Sequence, residues 1–87
     1  MRFACLCCGH QTLDEKPGGT YEICPVCFWE DDNVQADDPD FPGGANAPSL
    51  RQAQVNFRSF GACEERFLIN VRSPRADEPV DPSWVLL

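Results

Sequence analysis

The chain reads as a small α+β domain: a zinc-ribbon-like β-hairpin with two C-x-x-C knuckles, packed on one or two helices. Three observations predict it. Four of the six cysteines fall into two C-x-x-C pairs, the stretch after them carries one well-marked amphipathic helix, and 87 residues leave room for one core. A chain of this size buries roughly two thirds or less of its unfolded surface. A cross-link or structural metal would therefore relieve a marginal fold.

Cys5 with Cys8 and Cys24 with Cys27 are separated by the fifteen residues Gly9 to Ile23. That is the spacing of a four-thiolate ribbon, in which two tight turns deliver four sulfurs to one tetrahedral cation. Gly9 after the first pair suits a backbone position with φ > 0, and Pro25 fixes one φ of the second turn. Between the pairs, "KPGG" (Lys16 to Gly19) reads as the turn of a hairpin joining Gln11–Leu13 to Thr20–Ile23. The reading is one structural Zn²⁺ held by Cys5, Cys8, Cys24 and Cys27. A rubredoxin-like iron site uses similar ligands, and donor type alone does not separate the two metals. A disulfide framework would need export, and a thioredoxin-like pair lacks its βαβ context. Cys7 and Cys63 are spare on this count and read first as small buried hydrophobes. His10, the only histidine, is near Cys8 but four thiolates already complete the tetrahedron.

Next comes "FWEDDNVQADDPDFPGG", with six acidic residues and no basic one from Glu30 to Asp40. The plain expectation is a solvated irregular loop. Calcium would find oxygen ligands here, but the spacing does not fit an EF-hand. The functional expectation is a negative docking face formed by Trp29, Glu30, Asp31, Asp32, Asp37 and Asp38. The helix follows in "PSLRQAQVNFRSFG". Ser49 and Gln52 form an S-x-x-Q capping box, Leu50, Ala53, Phe57 and Phe60 line one face, and Gly61 ends it. "CEERFLINV" is a short element of undecided type. The tail from Ser73 carries three prolines and should run extended, docking Trp84 and the last leucines on the body or on a partner. The domain division expected is residues 1–72 for the cysteine-rich unit and 73–87 for the Pro-rich tail.

The formal net charge is −7. Four thiolates on one divalent cation would take it to about −9. That sign argues against direct nucleic-acid binding and against anionic membranes. It suits a protein partner with a basic surface. The N-terminal "MRFACLCCG" lacks the apolar core of a signal peptide, and no run of about 20 apolar residues could span a bilayer, so the cytoplasm is the expected address.

Taken together, "CLCCG", "GTYEICPVCFWEDD", "DPDFPGGAN", "SLRQAQVNF" and "FGACEERF" resemble the cysteine-rich CPCC family, small bacterial proteins named for a C-P-C-C motif. Cys5, Cys7 and Cys8 match that motif, while Leu6 stands where its proline would be. The resemblance implies a metal-binding domain of which the Asp38–Asp40 and Gly43–Asn46 blocks are fixed parts, with no established activity. No nucleophile has a base beside it, so the expected role is non-enzymatic. The specific expectation is an inhibitor or immunity-type partner of a basic toxin or nuclease. The alternatives are a redox or electron-transfer protein, or an accessory subunit of a larger assembly.

Overall fold

The computed structural model describes residues 2–87. β1 (Phe3–Ala4) pairs antiparallel with β2 (Gln11–Leu13), Phe3 opposite Leu13 and Ala4 opposite Gln11, with an irregularity between. The first knuckle is therefore the turn of this hairpin. The expected pairing of Gln11–Leu13 with Thr20–Ile23 does not form; Ile23 instead bridges Glu30 around the second knuckle. The reason lies in the "PGG" loop. Its backbone N–H groups converge on the Asp31 carboxylate, Gly18 at 2.8 Å, Gly19 at 2.9 Å and Thr20 at 2.8 Å, so it wraps an acceptor and does not turn a hairpin.

The acidic stretch is more ordered than its composition suggests. Asp32 caps α1 (Asn33–Asp37), accepting from Val34 N–H at 2.7 Å and Gln35 N–H at 3.0 Å, while its other oxygen takes Ala45 N–H at 2.8 Å. Gln35, fully buried, donates to the carbonyls of Phe41, Asn46 and Pro48 and so fixes the loop that follows. Asn46 returns to Glu30, accepting from its N–H at 2.9 Å and donating to its carbonyl at 2.8 Å, like a strand partner made from one side chain.

α2 (Leu50–Phe60) begins at Ser49, whose hydroxyl accepts from Gln52 N–H, and ends at Gly61, whose φ of 89° is open to glycine. Only half of the capping box forms, because the Gln52 side chain bonds Asn56 instead. Leu50 and Ala53 face the core, Phe57 is half-buried, and Phe60 reaches the surface. The segment after Cys63 holds a single 3₁₀ turn, Glu65–Phe67.

The last residues pack on the first knuckle. Val80 bridges His10, Gln11 N–H donates to Pro79 C=O, and Asp81 N–H donates to Gly9 C=O. Trp84 donates from Nε1 to Leu6 C=O at 2.8 Å, and Gln54 on α2 donates to the same carbonyl at 2.9 Å. Glu78 is buried, gripped by Arg72 at 2.7 and 2.8 Å and by Arg2 at 3.1 Å. The core consists of the six cysteines with Leu13, Val26, Trp29, Leu50 and Ala53. Of these, β2 supplies Leu13 and α2 supplies Leu50 and Ala53, while all six cysteines come from turns and loops.

Candidate metal centre

The two knuckles repeat one backbone design. In the first, Gly9 N–H donates to Cys5 C=O at 2.8 Å and Cys5 N–H to His10 C=O at 2.9 Å. In the second, Phe28 N–H donates to Cys24 C=O at 2.7 Å and Cys24 N–H to Trp29 C=O at 2.9 Å. The flanking pairs Ala4↔Gln11 and Ile23↔Glu30 follow the same rule. Every second-knuckle position stands 19 residues after its counterpart, as Cys24 does after Cys5. The residue closing each turn is left-handed, Gly9 at φ 80° and Phe28 at φ 70°. Glycine takes that conformation freely; for phenylalanine it costs about 1–2 kcal/mol. Phe28 offsets part of this by packing its ring 4.8 Å from that of Phe67.

This correspondence accounts for Cys7. Its equivalent is Val26, and each is 1 % exposed, so the thiol fills a position where the other knuckle has a branched hydrophobe. Leu6 corresponds to Pro25 in the same way. Both carbonyls anchor later chain: Leu6 C=O takes Trp84 and Gln54, and Pro25 C=O takes Arg72 N–H at 3.2 Å.

The two turns bring Cys5, Cys8, Cys24 and Cys27 together with every Sγ within 4.8 Å of the others, all buried. Between the knuckles, Cys5 Sγ lies 3.6 Å from Cys27 Sγ and Cys8 Sγ 3.7 Å from Cys24 Sγ, and all six thiols are free. A tetrahedron with Zn–S of about 2.3 Å requires sulfurs about 3.8 Å apart. The donor set fits one soft divalent cation. Electrostatics agree. Burial pushes the Cys5 and Cys27 thiols up, and the hydrogen bond shared with Cys24 pushes Cys8 up, whereas hydrogen bonds from Cys27 and its other neighbours hold Cys24 low. Four thiolates in so small a space need a cation to ionise together. Cys63 lies outside the tetrahedron, joined to Cys27 C=O by its N–H at 2.8 Å, and burial pushes its thiol up to about 12.

One polar side chain enters the sulfur cluster. Thr12, buried on β2, places Oγ1 3.0 Å from Cys24 Sγ. Sequence reasoning missed it, although a hydroxyl four residues past the first knuckle, on a strand that must flank the second, was the available signal. His10 takes no part: its Nδ1 bonds Glu78 C=O at 2.7 Å.

The proposed acidic face is corrected on three of its six residues. Trp29 and Asp31 are each 1 % exposed and Asp32 7 %. Both carboxylates are taken up by backbone N–H groups, and the contacts with Ala45, Gln35 and Val34 hold Asp32 below the usual carboxylate range. Trp29 is core, its indole N–H without a partner among the described residues. Asp37 and Asp38 remain exposed and Glu30 half-exposed. Among the described residues no helix is long and apolar enough to cross a membrane.

A protein-family model described as cysteine-rich CPCC matches residues 3–78. No curated protein matches the chain.

Proposed function

The chain belongs to the cysteine-rich CPCC family, and from that premise we propose that it is a non-enzymatic, protein-binding module built around one structural Zn²⁺. The observation that carries the metal reading is the set of four buried sulfurs at tetrahedral spacing on two matching knuckles. Cys5, Cys8, Cys24 and Cys27 would hold the ion, which supplies charge neutralisation and a cross-link between the halves. Four thiolate ligands close the coordination sphere to water and substrate, which suits a scaffold better than a catalyst.

The binding role is supported by charge. At −7 the chain would be steered onto a partner with a basic surface, and the surface acids Glu30, Asp37 and Asp38 offer a reduced version of the acidic face. An inhibitor or immunity-type role toward a basic toxin or nuclease is the narrowest form of this reading. Its mechanism would be electrostatic capture followed by docking, with no bond made or broken.

Elemental analysis of protein expressed with zinc and iron both present tests the metal. One zinc per chain is expected; iron, or no metal with oxidised thiols, would overturn the scaffold and bring redox chemistry forward. For the partner, co-purification from a bacterial lysate at two salt concentrations should yield a basic protein lost at high salt. Retention unaffected by salt and by alanine at Glu30, Asp37 and Asp38 would refute the steering argument.

A further inference from the structure

The two knuckles match in backbone and differ in what reaches their sulfurs. Thr12 Oγ1 is 3.0 Å from Cys24 Sγ, and the residue is buried. Toward a thiolate the hydroxyl is the donor. Applying the 19-residue correspondence, the partner of Thr12 is Asp31 and the partner of Cys24 is Cys5. Asp31 is an acceptor only, and its oxygens are turned away to Gly18, Gly19 and Thr20. Among the described residues, Cys5 therefore has no counterpart to the Thr12 hydroxyl.

We propose that Thr12 is a positioning residue for the metal, its hydroxyl orienting the Cys24 sulfur and making Cys24 an electron-poor ligand distinct from its pseudo-equivalent Cys5. The proposal rests on the four-thiolate metal reading and deepens it. A hydrogen bond to a ligand sulfur withdraws electron density from the metal–sulfur bond and fixes the lone pair that remains for the cation. The site is thereby asymmetric: one knuckle holds a ligand whose charge is partly shared with the protein, and the other does not.

The test uses cobalt(II) as the metal, loaded into the metal-free full chain, the Thr12→Val variant and the Thr12→Ser variant. Valine keeps the shape and removes the donor; serine keeps the donor. The expected result is a tetrahedral thiolate spectrum in all three, with the sulfur-to-cobalt band of Thr12→Val moved to longer wavelength and its cobalt affinity weakened about 10- to 100-fold, while Thr12→Ser stays near the parent. An unchanged band and affinity in Thr12→Val would refute the role of Thr12 and leave the metal site standing. Equal weakening in both variants without a band shift would also refute it, by assigning Thr12 to packing. A parent chain with no tetrahedral cobalt spectrum would overturn the metal reading, and the proposal with it.

Discussion

Gly9→Ala tests how the knuckle, the tail and the cage depend on one another. Gly9 sits at φ 80°, and a Cβ built there would lie 2.6 Å from Trp84 Cδ2 and 2.7 Å from Cε3. The backbone term alone is about 1–2 kcal/mol. Relieving the overlap requires moving the indole, whose Nε1 bond to Leu6 C=O contributes about 1 kcal/mol and whose packing on the knuckle contributes about another. The sum, about 3–4 kcal/mol, corresponds to a fall in Tm of about 15–25 °C for a domain of this size. Zinc-loaded protein would be melted by circular dichroism, with tryptophan emission reporting whether Trp84 has left its seat. Repeating the substitution in a Trp84→Ala background separates the terms: only the backbone part, about 1–2 kcal/mol, should remain. An equal cost in both backgrounds would refute the claim that Trp84 seats against Gly9. A total cost under about 0.5 kcal/mol would refute the left-handed turn as well.

Removing metal from the loaded chain with a chelator should unfold it, because a four-cysteine site contributes on the order of 10 kcal/mol to a fold this small; a folded circular dichroism spectrum after complete chelation would contradict the scaffold role. Glu78→Gln should cost about 3 kcal/mol at neutral pH, measured by urea titration, since it leaves Arg72 and Arg2 facing a neutral amide. The Arg72 hydrogen bonds lower the Glu78 carboxyl from its usual 4.5 to about 2, so its contribution is full above pH 4.5 and is lost as pH falls toward 2. The gap between parent and variant should be flat from neutral pH down to 4.5 and close below it.

The cage residues and α2 were legible because their signals are local. Two cysteines three apart define a knuckle, and Ser49 and Gly61 mark helix ends, without reference to the rest of the chain. The hairpin partner was not legible, because a Pro-Gly-Gly turn says that the chain bends and not what lies inside the bend. Here it is the Asp31 carboxylate. Asp31 and Asp32 were misplaced for a related reason: composition cannot tell an acid facing water from one that satisfies backbone donors. The match between knuckles was also invisible. Outside the cysteines, "CLCCGH" and "CPVCFW" share no residue, and no sequence repeat betrays a shared backbone.

The sulfur contacts at 3.6 and 3.7 Å join opposite knuckles, at sequence separations of 22 and 16 residues. A clip between such positions removes more freedom from the denatured chain than one within a C-x-x-C turn: about 3 kcal/mol for a loop of about 20 residues, against about 2 for a loop of four. With the one sheet among the described residues limited to two short strands, part of the domain's resistance to disorder is topological: the bound ion would act on the unfolded ensemble, by denying it open conformations, as well as on the native contacts.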